Sequence, residues 1–157
     1  MSDNEKRYYI AYGSNLNVRQ MQSRCPNARL CGTSVIENYR LLFKGSLTGS
    51  YLTIEPMDGY YVPVGIWQVT PKDEHALDRY EGYPHFYYKK EMELPIIGIK
   101  SGKKRIRTAF VYIMHEERRL GHPSFEYYRT CVDGYGAFGF DLRVLAKALL
   151  ESGEEEF

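Results

Sequence analysis

The 157-residue chain is poor in several things at once: one Trp, three Cys, four His and a formal net charge of only +1. Cys25, Cys31 and Cys131 are odd in number and lack C-x-x-C spacing, which argues against a disulfide framework and for reduced thiols in a cytoplasmic protein. They read as small buried hydrophobes, and no local sequence supports a thiol hydrolase. His75, His85, His115 and His122 are scattered, with no H-x-x-x-H or H-E-x-x-H pair, so no metal site is expected. No apolar run approaches a membrane span, and the polar segment Met1 to Arg7 has no apolar stretch behind it to make a signal peptide. The near-neutral balance gives no overall field for nucleic acid or a membrane surface. One local basic run, Lys100, Lys103, Lys104, Arg105 and Arg107, reads as the solvated turn of a hairpin.

What the chain does have is tyrosine: 15, against 7 Phe. A buried phenol needs a partner for its hydroxyl. The surplus therefore suggests a cavity with polar ends or an exposed aromatic surface, although β-propensity alone also enriches Tyr. The length suits one domain over 1–157, with a core of about 7–151.

Strand patterns are expected over Arg7 to Tyr12, Ala28 to Lys44, Tyr51 to Ile54, Tyr60 to Val69, Phe86 to Ile99 and Arg105 to Met114. Gly45 to Ser50 reads as a small-residue loop, and Pro56-Met57-Asp58-Gly59 as a turn. A short helix is expected from Val18 to Arg24, ended by Pro26. Thr70-Pro71 opens a second, with Thr70 as N-cap, and Gly82 suits its C-terminal left-handed position. Helices also fit Pro123 to Asp133 and Asp141 to Glu151, the latter amphipathic. Between them Tyr135-Gly136-Ala137-Phe138-Gly139 reads as a Gly-rich connection, with Asp133 to Gly136 a flexible rim or an ordinary helix-ending turn. Glu154-Glu155-Glu156 reads as a frayed tail. Six or so strands with few helical crossovers predict an α+β fold: a small mixed, mainly antiparallel β-barrel with a few flanking helices.

Two segments carry chemistry. Tyr8 to Ala11 runs into Tyr12-Gly13-Ser14-Asn15-Leu16, a strand entering a tight polar turn. Such a turn leaves backbone N–H groups without internal partners, aimed at an anion or a polarised carbonyl; taken alone it is also what a capped β-turn looks like. The second is Leu77-Asp78-Arg79-Tyr80-Glu81-Gly82-Tyr83-Pro84, where a carboxylate ends a helix among Tyr80, Tyr83, Phe86, Tyr87 and Tyr88. The helix C-terminus disfavours negative charge, and apolar surroundings raise a carboxyl pKa. Both move Glu81 toward general acid–base work, although an isolated helix-end Glu is more often solvated. Arg79 fits a solvated helix face, Trp67 a core position, and His85 and His122 loops beside prolines.

Together, Tyr12-Gly13-Ser14-Asn15-Leu16 and Leu77-Asp78-x-x-Glu81-Gly82, in this order and about 65 residues apart, resemble γ-glutamylcyclotransferase and its AIG2-like relatives over roughly Tyr8 to Leu150. The resemblance implies a β-barrel whose Tyr12, Gly13, Ser14, Asn15 and Leu16 turn binds a γ-glutamyl group, with Glu81 as the single catalytic glutamate. It implies further cavity tyrosines at the positions of Tyr88, Tyr112 and Tyr127, no cofactor, and a small-molecule γ-glutamyl substrate. The reaction implied releases 5-oxoproline and an amine. A non-catalytic binding or regulatory domain that keeps the cavity is the alternative. The segment Tyr83-Pro84-His85-Phe86 departs from the animal cyclotransferases and looks more like bacterial and AIG2-like branches, which leaves the departing amine open: an amino acid, an amine such as the lysine ε-amino group, or part of a biosynthetic intermediate.

Overall fold

The computed structural model describes residues 5–45 and 49–153. Five strands, β1 (Arg7–Ala11), β2 (Arg29–Lys44), β3 (Tyr51–Val69), β4 (Tyr87–Gly98) and β5 (Lys104–Met114), close a barrel in the order β1-β3-β2-β4-β5. Every pairing is antiparallel except β1 with β5, where Tyr8 meets Ala109 and Tyr9 meets Phe110. Two short pairings complete the closure: Tyr8 and Tyr9 with β5, and Gly32 and Thr33 with β4. Side chains alternate across the barrel wall: Ile10, Val62, Val64 and Ile66 share one face, and Tyr9, Trp67 and Phe110 the other, all of them buried. The expected mixed, mainly antiparallel barrel is what the chain forms.

Four α-helices lie among the described residues: α1 (Val18–Arg24), α2 (Pro71–Glu81), α3 (Phe125–Phe138) and α4 (Leu142–Gly153). α2 begins at a full capping box. Thr70 Oγ1 accepts from the Asp73 amide and Asp73 Oδ2 from the Thr70 amide, each at 3.1 Å, a device worth about 1 kcal/mol. It ends at Gly82, whose φ of 65° is left-handed, with the Tyr83 amide returning to Asp78 O at 3.0 Å. α4 packs on β2, where Ser152 Oγ accepts from the Phe43 amide at 2.9 Å.

Two expectations are corrected. Pro56-Met57-Asp58-Gly59 is no turn between two strands but lies inside the single strand β3, which leaves five strands where six were expected. Tyr39 pairs with Pro56 and Glu37 with Tyr61, so the residues between form a bulge opposite Asn38. Asn38 (φ 61°) and Gly59 (φ 87°) both take left-handed backbone, and the Gly59 amide donates to Asn38 Oδ1 at 3.0 Å. Pro56 fits the ladder because β1 flanks β3 only from Gly65 to Val69, leaving that side of Pro56 without a β1 amide partner.

The second correction concerns Asp133 to Gly139, which is neither a connection nor a rim. α3 runs through Gly134 and Gly136 to Phe138, with Gly139 as its left-handed cap. Gly134 lies in a helix because α3 presses on the turn after β1: a Cβ there would sit 2.8 Å from the Asn17 nitrogen and the Leu16 carbonyl carbon. Of the loop 45–50, Gly45, Gly49 and Ser50 lie within the described residues; Glu154 to Glu156 lie outside them.

Candidate active site

The two chemical segments leave opposite ends of an antiparallel pair. β1 enters its turn beyond Ala11, which pairs with Gly65, while α2 follows Val69, which pairs with Arg7. β1 spans about 17 Å at the rise of a strand, and the eleven residues of α2 about 16 Å at the rise of a helix. α2 thus runs back along the barrel wall and brings Glu81 level with the turn. The turn is a short 3-10 segment, Ser14–Leu16. The Leu16 amide donates to Gly13 O and the Asn17 amide to Ser14 O, both at 3.0 Å, which leaves the Ser14 and Asn15 amides without intrahelical partners.

Each motif residue has a physical task. The Tyr12 hydroxyl donates to Tyr112 O at 2.7 Å. Gly13 has negative φ, so space and not backbone hand demands glycine: a Cβ would lie 3.3 Å from both Leu52 Cδ1 and the Tyr127 hydroxyl. Ser14 Oγ and the Tyr80 hydroxyl lie 3.1 Å apart. Asn15 is held at three points: its Nδ2 donates to the Tyr9 hydroxyl at 2.9 Å, its Oδ1 accepts from Arg24, and its carbonyl accepts from Trp67 Nε1 at 3.2 Å. Trp67 is therefore a core residue that also pins the turn. Leu16 is wholly buried. In the second motif Leu77 is buried, Gly82 is the cap, and Asp78, one helical turn before Glu81, accepts from the Tyr112 hydroxyl at 2.6 Å. Lys89 neutralises Asp78 at 2.9 Å.

These elements enclose a cavity of about 240 Å³. It lies below the ~300–1,000 Å³ of pockets for drug-sized ligands and suits an amino-acid-sized group. Its walls are the turn, Leu52 and the rings of Tyr9, Tyr12, Tyr87, Tyr112 and Tyr127, with Tyr51, Tyr80 and Phe86 also contributing. Among the described residues Glu81 is the one carboxylate in the lining, and no cationic side chain joins it.

The phenols are polarised by their outer partners. Tyr12, Tyr87 and Tyr112 spend their protons on Tyr112 O, Leu52 O (2.8 Å) and Asp78, so they offer the cavity lone pairs. Tyr9 and Tyr127 instead accept, from Asn15 Nδ2 and from the Leu52 amide (3.1 Å), and keep a proton to give. Donors therefore come from Tyr9, Tyr127 and the turn amides, and acceptors from Glu81, Tyr12 and Tyr87. That distribution suits a ligand carrying a carboxylate and an ammonium group.

Glu81 is half-buried as a residue, yet its carboxyl group is enclosed, and no hydrogen bond or ion pair among the described residues holds it. Burial pushes its pKa up to about 8, with Arg24 the charge that opposes the rise. Such a carboxyl is poised to give or take a proton near neutrality. Burial also pushes the Cys25 and Cys131 thiols up to about 12, and Cys31 upward. Among the described residues no group of three or more His, Cys, Asp and Glu is placed to hold a metal ion, and no helix is long and apolar enough to cross a membrane.

Of the residues singled out in the sequence, Tyr12, Gly13, Ser14, Asn15, Glu81, Tyr112 and Tyr127 line the cavity, with Leu16 buried behind the turn. Tyr88 does not: strand alternation puts it on the face of β4 opposite Tyr87, and it is Tyr87 that lines the cavity. Arg79 is exposed. Tyr9, Tyr51, Leu52 and Tyr87 were not picked out as site residues. The pairing of Tyr9 with Trp67 across β1 and β3, and with Phe110 across β1 and β5, fixes its face, information that the run Tyr8-Tyr9 does not contain.

A family model described as "Gamma-glutamyl cyclotransferase, AIG2-like" matches residues 9–130. Among solved structures, one described as "Gamma-glutamyl cyclotransferase" is 24% identical, with a TM-score of 0.74 over 91% of this chain and 86% of its own. A human protein described as uncharacterized is 25% identical, with a TM-score of 0.74 over 92% and 86%. A yeast gamma-glutamyl cyclotransferase described as specific to glutathione shares the fold at 13% identity, with a TM-score of 0.63 over 96% of each chain. The comparison with curated proteins gives no match.

Proposed function

The chain belongs to the gamma-glutamyl cyclotransferase, AIG2-like family of enzymes, and from that premise we propose that Glu81 converts a γ-glutamyl amide into 5-oxoproline and a free amine, acting first as base and then as acid. The observation that carries the reading is the lone, unpaired carboxyl of Glu81 inside an amino-acid-sized cavity, with burial holding its pKa near 8.

The substrate supplies its own nucleophile. Its α-nitrogen arrives as an ammonium group, and ionised Glu81 takes one proton from it. The freed amine attacks the γ-carbonyl, closing the five-membered ring and placing negative charge on the carbonyl oxygen. The ring nitrogen then gives up a second proton. The departing nitrogen gains two as its bond to carbon breaks, and leaves as an ammonium ion. One carboxyl passes both protons across and ends ionised, as it began. Because the attack is intramolecular, the cavity's main task is to hold a folded conformer with the reacting atoms ~3–3.5 Å apart.

The polarity of the walls supports this pose. The Ser14 and Asn15 amides, with Tyr9 and Tyr127, supply donors for the α-carboxylate or the developing oxyanion. Tyr12, Tyr87 and Glu81 supply acceptors for the ammonium group. The test is 5-oxoproline release, read by mass spectrometry, from a panel of γ-glutamyl amino acids, γ-glutamylamines and glutathione. Wild type is expected to release it and Glu81→Gln to lose at least ~10²-fold of the turnover. Near-normal turnover by Glu81→Gln sinks the mechanism.

A further inference from the structure

Arg24 belongs to neither motif and does not line the cavity, yet it touches both halves of the site from behind. Its guanidinium carbon lies 3.5 Å from the centroid of the Tyr80 ring, and Tyr80 directly precedes Glu81. One edge of the same guanidinium donates to Asn15 Oδ1, and Nη2 donates to Gln20 Oε1 at 3.1 Å. The Tyr80 hydroxyl meets Ser14 Oγ on the other side. Helix and turn are thus joined through two adjacent side chains: Tyr80 is held by its ring and by its hydroxyl, and Asn15 is fixed from Arg24, Tyr9 and Trp67.

We propose that Arg24 is a positioning residue that fixes the distance and orientation between the Gly13–Leu16 turn and the Glu81 end of α2, and so sets the reach of the proton shuttle to the substrate held by the turn. The proposal rests on the reading of Glu81 given above. The planar fork matters to it, because stacking on Tyr80 while bonding Asn15 and Gln20 uses the flat face and two edges at once; an ammonium group can do only part of this.

The charge has a second effect. Glu81 is faced by Arg24 from α1 and by six phenols: Tyr9 from β1, Tyr12 from the turn, Tyr80 from α2, Tyr87 from β4, Tyr112 from β5 and Tyr127 from α3. Burial pushes all six phenols upward, so none is ionised near neutrality. Arg24 is therefore the charge among them that favours the ionised, base form of Glu81.

Arg24→Gln, Arg24→Lys and Tyr80→Leu, beside wild type, separate these roles. kcat and KM are measured across pH on the γ-glutamyl compound of the panel that wild type turns over fastest, together with 5-oxoproline affinity by calorimetry and the melting temperature. Both Arg24 variants are expected to lose about 10–100-fold in kcat/KM, mostly in kcat, the scale of a misplacement of about 1 Å. Arg24→Lys keeps the rising limb of the pH profile near the wild-type position, while Arg24→Gln moves it upward. Arg24→Gln/Tyr80→Leu should be no worse than the poorer single variant, because both act through one stack. If both Arg24 variants keep kcat within about twofold while only the melting temperature falls, Arg24 is structural and the proposal is overturned; should Arg24→Gln fail to fold, normal kcat in Arg24→Lys and Tyr80→Leu overturns it. Should wild type turn over nothing in the panel, the reading of Glu81 fails on its own. Arg24 is then judged on 5-oxoproline binding: a roughly tenfold loss in Arg24→Gln supports it, and unchanged or undetectable binding does not.

Discussion

Tyr87 and Tyr88 are neighbours in sequence and face opposite sides of β4. Tyr87 is 5% exposed, lines the cavity and donates to Leu52 O at 2.8 Å; Tyr88 lies on the other face and donates to Glu116 Oε2 at 2.5 Å. Tyr87→Phe removes a buried hydrogen bond, a loss of about 1–2 kcal/mol. The melting temperature should fall by roughly 3–6 °C, and kcat/KM several-fold. Tyr88→Phe should keep kcat/KM within about twofold. A larger loss in Tyr88→Phe than in Tyr87→Phe contradicts the orientation of β4.

Gly13→Ala tests the cavity floor. The added methyl reaches 3.3 Å from Leu52 Cδ1 and the Tyr127 hydroxyl, so it narrows the space between the turn and two walls. KM should rise about tenfold, with a melting temperature within a few degrees of wild type, since crowding of this kind costs about 1–3 kcal/mol at most. Unchanged KM would place the γ-glutamyl group elsewhere.

For Glu81, activity and stability should move in opposite directions with pH. The base form is required, so kcat/KM should rise through an apparent pKa near 8. A profile flat down to about pH 4 contradicts the assignment.

The folded protein holds the Glu81 proton more tightly than the unfolded chain does. The stability it confers is complete below the ordinary value of 4.5 and is lost as pH rises through about 8. Glu81→Gln keeps the shape and cannot ionise. Its melting temperature should therefore exceed that of wild type at pH 9, by an amount reflecting on the order of a few kcal/mol, and converge with it near pH 5. Differential scanning calorimetry at the two pH values reads this directly.

Burial keeps the Cys25 and Cys131 thiols protonated near neutrality. Iodoacetamide at pH 7 should leave turnover unchanged. Inactivation in step with alkylation of one cysteine would revive a thiol mechanism.

The parts of the fold that local chemistry dictates were legible in the sequence. Thr70-Pro71 and Gly82 mark the ends of α2 because capping is a short-range matter, and the pair Glu81 and Gly13–Leu16 stands out because each sits at an element boundary. The bulge at Pro56–Gly59 was not legible: Pro, Asp and Gly signal left-handed or unpaired backbone equally in a hairpin turn and in a long bent strand. Gly134 and Gly136 weaken a helix by propensity, and only the approach of Leu16 shows why one of them is needed there. Which of Tyr87 and Tyr88 meets the cavity depends on register across β4 and β5, a long-range fact.

The match between eleven helical residues in α2 and five strand residues in β1 makes that helix a ruler. Adding one residue to it would turn Glu81 by about 100° and carry it about 1.5 Å further along the wall, out of the cavity whatever the stability of the barrel. Among chains of this architecture, length should therefore be held constant between Thr70 and Gly82, even where the residues in between have changed.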